Sequence, residues 1–435
     1  MNATPFVSVI IPVWNGRPYL QRALTALLAQ RTTNDQTFEV IAVDNASTDD
    51  SANFIATNFP TVRLLRNRTN QGFAGGCNRG LEAAQGSLCV VLNQDTLVRP
   101  GWINELIMAA ADPQIGIVGC KILYPDGVTL QHTGGWLEWP LGLAHHTGAG
   151  EIDHGQWDTP RTVEFVTGAA LAIRREVLTQ VGAFDEAFWP GYFEDVDLCL
   201  RVQRAGWRIY YAPTAVLEHQ ESTTVRDPAL RTYYYHCGRL RLLLKHLLPD
   251  RWRSEFVPAE LTALPQFVRG QDGFALQLAY STLILTAASS LLKAWRVDME
   301  TITQTIDALR LLYDQANVET TRIHAERLAS TTPEWSAHIA ANSTMLRVLP
   351  LTEHHFESHH HIFGLFIGAF RRFWYNIAAR WGDHYLRLQQ DSINSGLDME
   401  LTLHRQQIDL LIAENARLAA KLAYLEQSKA PIDSA

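Results

Sequence analysis

Two β-rich runs, residues 7 to 13 and 38 to 44, flank a segment in which Leu20, Leu24, Leu27 and Leu28 recur on one helical face. Strands without polar alternation need cover on both sides, and a one-faced helix between two of them supplies one layer of it. The result is a β-α-β unit. Further strand patterns at 61 to 66 and 87 to 92, separated by a helix within 75 to 85, extend the alternation. This predicts an α/β protein with a mostly parallel sheet and helices on both faces. Ligands of such sheets sit at the carboxyl ends of the strands, where successive loops converge.

Those ends carry polar residues. Pro12 and Asn15 follow the first strand, Asp44 and Asn45 the second, the run Asn67 to Asn78 the third, and Asn93-Gln94-Asp95 the fourth. Asn, Asp and Gly make turns without any ligand, but four such ends on one crevice point to binding. Asp44, closing an apolar strand, can accept hydrogen bonds from the base or ribose of a nucleotide. From Asn70 to Asn78 the glycines permit close backbone approach and expose amide donors at a helix start. Asp95 can ligate a hard cation that two phosphates already hold, sharing it with a distant imidazole, and His219 is the candidate. Asp195 opens a helical pattern (Val196, Leu198, Cys199, Leu200, Val202) after an aromatic turn. There a carboxylate can be a general base or a helix cap, and Glu194 and Asp197 compete for the capping role.

At 435 residues the chain exceeds one ordinary core. The expected division is a catalytic domain over 1–245, a helical region over 246–390 and a coiled-coil tail over 391–435. A net charge of -8 gives no general attraction for nucleic acid or anionic lipid. The five cysteines (Cys77, Cys89, Cys120, Cys199, Cys237) form no C-x-x-C pair, and no basic region precedes the short first apolar run, so a cytoplasmic setting is expected. Between Tyr124 and Glu164, His132, Trp136, Trp139, His145, His146, His154 and Trp157 suit either a lid or acceptor platform or the packing of a long surface excursion.

Beyond residue 240 the pattern turns helical. Residues 273–292 carry no charge, but Gln277, Ser281, Thr282, Thr286, Ser289 and Ser290 favour a buried or interfacial helix over a membrane span. The aromatic segment 362–381 with Arg371, Arg372 and Arg380 fits a helix at the inner membrane face or a core helix with snorkelling arginines. The histidines from His354 to His361 could bind metal but read more readily as a solvated polar turn. From 397 to 425, Leu401, Ile408, Asn415 and Leu422 alternate with His404, Leu411, Leu418 and Leu425 in a seven-residue repeat. A buried Asn at such a position favours a parallel two-stranded coiled coil, hence a homodimer, over packing on its own chain.

Seven segments in order give the chain a family likeness: 8–15, 43–49, 70–78, 92–95, 167–169, 182–186 and 194–201. Over roughly residues 6 to 245 it resembles the family 2 glycosyltransferases, in their rhamnosyltransferase-like branch. The resemblance implies a GT-A fold, a nucleotide-sugar donor, Mg2+ or Mn2+, inversion at the anomeric carbon, and a glycan or lipid-linked acceptor. It implies that Pro12, Asn15, Asp44, Asn70, Asn78, Asn93 and Gly168 line the nucleotide-sugar site. It further implies Asp95 and His219 as metal ligands and Asp195 as the base. Asn93 departs from the family's D-x-D element, whose first position is acidic.

Two other classes compete. A dinucleotide-dependent oxidoreductase needs G-x-G-x-x-G after the first strand, where this chain has Pro12 to Gly16. A noncatalytic assembly protein would use the same fold as a scaffold and the tail to recruit partners.

Overall fold

The computed structural model describes residues 6–33, 36–220, 225, 227–269, 273, 275–284 and 299–330. All belong to one compact unit, Met1–Ser330. The heptad tail, the aromatic segment 362–381, the histidines from His354 to His361 and residues 285–292 lie outside the described residues.

Strands β1 (Val7–Val13), β2 (Phe38–Asp44), β3 (Arg63–Arg66) and β4 (Leu88–Leu92) pair in parallel in the order β3-β2-β1-β4. Their crossovers are α1 (Arg17–Leu28), α2 (Ser51–Asn58) and α3 (Gly72–Ala83). Strand side chains alternate between faces, so β1 feeds two cores. Val7, Val9, Ile11 and Val13 join Leu20, Leu24 and Leu27 of α1, while Ile10 joins Ala74, Cys77 and Leu81 of α3. Burial on both faces explains why β1 and β4 are mostly apolar, whereas β3 at the sheet edge carries the exposed Arg63 and Arg66.

Past β4 the sheet departs from the mostly parallel expectation. β11 (Ala170–Arg174) runs antiparallel between β4 and β6 (Ile115–Leu123), and β12 (Arg208–His219) lies parallel beside β6. Antiparallel β5 (Thr96–Val98), β7 (Leu130–His132) and β10 (Arg161–Thr162) complete a mixed ten-stranded sheet. The reversal has a functional consequence: an antiparallel strand begins where its parallel neighbours end, so the residues before Ala170 enter the crevice. A separate hairpin, β8 (Gly135–Glu138) and β9 (Leu143–His146), stands in the insert.

The described helices after β4 are α4 (Trp102–Ala109), α5 (Arg175–Val181), α6 (Glu194–Arg204), α7 (Pro228–His246), α8 (Pro249–Arg251), α9 (Val257–Phe267), α10 (275–284) and α11 (Met299–Ser330). Arg239 of α7 and Glu260 of α9 form a fully buried ion pair, joined by the Tyr280 hydroxyl at 2.5 Å and by the Leu141 carbonyl at 2.8 Å. This polar knot fastens the later helices to α7 and the insert. Among the described residues no helix is long and apolar enough to cross a membrane, and all five cysteines are free and buried.

Candidate functional site

The loops after β1, β2 and β3 are held by their own side chains. Buried Asn45 satisfies four bonds: its amide nitrogen donates to Asn70 Oδ1 and the Gly72 carbonyl, and its oxygen accepts from Asn67 and the Gln71 N–H. Asn15, at φ +49°, accepts from the Thr48 N–H at 2.8 Å and donates its own N–H to Ser47. Asp49 accepts the Arg17 N–H at the start of α1; burial pushes its pKa up, but hydrogen bonds from Ser51 and the Arg17 and Ser51 N–H groups outweigh this and lower it. Gly76 is glycine for a close approach, since a Cβ there would stand 3.3 Å from both Pro12 and Asn45. Asn78 reaches elsewhere, donating to the Phe184 carbonyl and Glu186 and accepting the Phe184 N–H. Asp44, only 5% exposed, accepts the Ser47 N–H at the end of β2.

Asp95 and His219 meet across β5 and β12. Thr96 is the register partner of His219, and the His219 Nε2 lies 3.3 Å from Asp95 Oδ1. β12 reaches this point through a register irregularity between Ala212 and Val216, where Pro213 cannot donate to a ladder. Gln131 of β7 sets the imidazole: its Oε1 accepts from His219 Nδ1 at 2.7 Å, which leaves the Nε2 lone pair turned toward Asp95 and the Asn93 amide. Two ligands in adjacent positions on an octahedral Mg2+ are ~3.0 Å apart, so one carboxylate and one oriented imidazole fit a hard divalent ion. Among the described residues no third His, Cys, Asp or Glu completes a metal cluster. The remaining positions thus suit phosphate oxygens and water.

Three acids share the first turn of α6, whose N-terminal dipole favours them. Their partners give them different states. Asp197 is fully buried; burial raises its pKa, yet His246, Arg201 and Lys245, at 2.7 to 2.9 Å, hold it far below the usual range. Glu194 is buried with one carboxyl oxygen lacking a partner, and burial, then the charges of Asp195 and Asp197, push its pKa well up. Asp195 is partly exposed. Its Oδ2 accepts the Gly168 N–H at 2.6 Å and its Oδ1 the Val196 N–H at 2.8 Å; burial raises its pKa against these two bonds. A partly exposed carboxylate whose pKa is raised is suited to taking a proton.

The two halves are coupled. Asn93 donates its N–H to the Ala169 carbonyl at 2.9 Å, one residue beyond the glycine that holds Asp195. A Cβ on Gly168 would stand 3.0 Å from Phe73 and 3.5 Å from Asp195, so the turn has no room to spare. Gln94 binds both backbone groups of Trp14 at 3.0 Å and so braces the β1 loop instead of facing the crevice. Sequence reasoning missed Gln131, whose three-residue strand has no periodicity to read, and missed that Asn45, more than Asn70, organises the third loop.

A family model described as glycosyl transferase family 2 matches residues 8–182. An N-acetylglucosaminyl-diphospho-decaprenol L-rhamnosyltransferase of Mycobacterium tuberculosis is 30% identical over 257 residues, covering 54% of this chain and 82% of that protein. The chain belongs to glycosyl transferase family 2. The O-antigen biosynthesis protein RfbC of Myxococcus xanthus is 35% identical to this family 2 chain over 240 residues, and a pre-mycofactocin glycosyltransferase of M. tuberculosis 31% over 252. The alignments span 53% and 56% of this chain, but only 18% and 48% of those relatives' lengths. Among solved structures, a Pyrobaculum calidifontis mannosyltransferase in complex with GDP-Man and Mn2+ aligns with TM-score 0.42 at 20% identity, covering 73% of this chain and 87% of that one.

Proposed function

We propose that the chain transfers a sugar, with rhamnose the first donor to test, from a nucleoside diphosphate to a hydroxyl of a polysaccharide or lipid-linked glycan. The observation that carries the reading is the short link between Asp195 and the Asp95–His219 pair through Gly168, Ala169 and Asn93. A base and an ion-binding pair joined by one turn suit a single displacement with inversion. Asp195 takes the proton of the acceptor hydroxyl as its oxygen bonds to the anomeric carbon, and the bond from that carbon to the diphosphate breaks with its electrons leaving on the diphosphate. Asp95 and His219 would hold Mg2+ or Mn2+, which supplies charge stabilisation for the departing diphosphate. Asp44 accepts hydrogen bonds from the nucleoside, and Pro12, Asn15, Asn70 and Asn93 shape its cradle, while Asn78 is committed to Phe184 and Glu186. Gly168 lets the donor sugar approach the base closely.

The relatives' names favour cell-envelope glycan synthesis. On this reading the enzyme works in the cytoplasm, touching the membrane through residues 362–381, and dimerises through residues 397–425. The test is nucleoside diphosphate release from a panel of UDP-, dTDP- and GDP-sugars with Mg2+ or Mn2+. Turnover abolished by chelation and by Asp195→Asn supports the proposal; equal release by wild type and Asp195→Asn overturns it.

A further inference from the structure

The chain enters α6 through a costly turn. Tyr192 and Phe193, the two residues before the helix begins at Glu194, stand at φ +77° and +71°. Neither is glycine, and in this left-handed region an L residue brings its Cβ against the carbonyl oxygen, so two in succession persist only where the surroundings impose them. The Phe193 carbonyl accepts the Asp197 N–H at 2.8 Å, so the turn also sets the direction in which the helix starts.

Helix α7 imposes the turn. Gly238 is buried in the interior of that 19-residue helix, where glycine is a weaker helix former than alanine. The missing side chain has a local reason: a Cβ there would stand 2.5 Å from the Tyr192 carbonyl oxygen and 3.1 Å from the Phe193 ring. Three residues earlier, Tyr235 meets the Phe193 ring edge-on with centroids 5.0 Å apart, and Tyr234 meets Trp189 at 6.4 Å. Further along α7, Lys245 and His246 hold Asp197. From the opposite side, the Pro190 carbonyl accepts the Phe73 N–H at 2.8 Å. Arg239, the residue after Gly238, is paired with buried Glu260, which gives α7 a fixed backing at this point.

We propose that Gly238 is a positioning residue for the base: by admitting the Tyr192 carbonyl against α7, it lets that helix hold the left-handed turn that aims Asp195 at the Gly168 turn and the acceptor hydroxyl. This rests on the reading of Asp195 as the base. Each link is a contact: Gly238 against Tyr192, Tyr192 and Phe193 running directly into α6, and Asp195 Oδ2 on the Gly168 N–H at 2.6 Å. Asp95 and His219 stand on other elements, β12 and the loop before β5. Displacing the turn therefore acts on the proton transfer and leaves cation binding in place.

The test measures kcat and donor KM for nucleoside diphosphate release by wild type, Gly238→Ala and Tyr235→Leu, on whichever sugar donor of the panel turns over, together with Mn2+ affinity in the presence of a nucleoside diphosphate. Helix propensity alone makes Gly238→Ala neutral or favourable, so any loss comes from the contact with Tyr192. A misplacement of about 1 Å costs on the order of 100-fold in rate, so Gly238→Ala should lower kcat by ~10–100-fold with donor KM and Mn2+ affinity within about 2-fold of wild type. Tyr235→Leu removes the ring beneath Phe193 without adding bulk and should lower kcat in the same pattern. Thermal melting screens for misfolding, and Tyr235→Leu carries the test where Gly238→Ala does not fold. Wild-type kcat in the folded variant, or a loss of Mn2+ affinity as large as the loss of kcat, overturns the proposal while leaving the base reading intact; undiminished turnover by Asp195→Asn removes both.

Discussion

Gln131→Leu should weaken divalent-cation binding without touching either ligand. Gln131 is buried, and its Oε1 accepts from His219 Nδ1 at 2.7 Å while its amide donates to the His219 carbonyl at 3.4 Å. Leucine fills a similar volume but leaves the Nδ1–H buried without an acceptor, at a cost of about 1–3 kcal/mol. The ring escapes that cost by moving its proton to Nε2, which then donates to Asp95 Oδ1 across the present 3.3 Å gap. The lone pair needed for the ion is thereby lost. Removing such a supporting bond typically costs ~10–100-fold in metal affinity, or ~1.4–2.8 kcal/mol. Free Mn2+ measured by electron paramagnetic resonance, with a bound nucleoside diphosphate present, reads the affinity directly. Gln131→Glu, which still accepts from Nδ1, should bind Mn2+ at least as tightly as wild type. Unchanged affinity in Gln131→Leu alongside a clear loss in His219→Ala would refute the tautomer argument.

Three stability predictions concern the buried charges. Asp197→Asn leaves Lys245, Arg201 and His246 short of their shared anion and should cost about 3–5 kcal/mol in urea unfolding at neutral pH. Because the folded pKa is depressed, this contribution is present above the ordinary carboxylate range and fades as pH falls through the folded value, so the two proteins should converge in strong acid. Glu194→Gln has the opposite sign: a carboxyl whose pKa the fold raises costs stability as pH climbs past its unfolded value, so the variant should be more stable at pH 7 and equal to wild type once both states are protonated. Glu260→Gln strips the buried Arg239 of its counter-charge and should lower unfolding free energy by about 3–5 kcal/mol, where a change under about 0.5 kcal/mol would mean the pair is dispensable.

The centre of the parallel half of the sheet is legible because burial on both faces leaves β1, β2 and β4 mostly apolar. β1 and β2 fall on the expected residues 7–13 and 38–44, and α1 buries the expected Leu20, Leu24 and Leu27. The direction of β11 was not legible, since a strand buried between two neighbours has the same composition whichever way it runs. β12 continues through Pro213 to His219, although proline reads locally as a strand breaker. The roles of the three acids on α6 depend on Lys245 and His246 of α7 and on the Gly168 turn, contacts that no local spacing encodes. Likewise, the polar side chains after β1 to β3 read correctly as loop residues, but which one spends its bonds on the loop itself is decided by tertiary packing.

The most direct measurement is anomalous diffraction at the manganese edge from crystals grown with Mn2+ and a nucleoside diphosphate. The account predicts one strong peak within about 2.2 Å of both an Asp95 oxygen and His219 Nε2, with the diphosphate completing its coordination. A manganese ion bound with the diphosphate but remote from either side chain would contradict it.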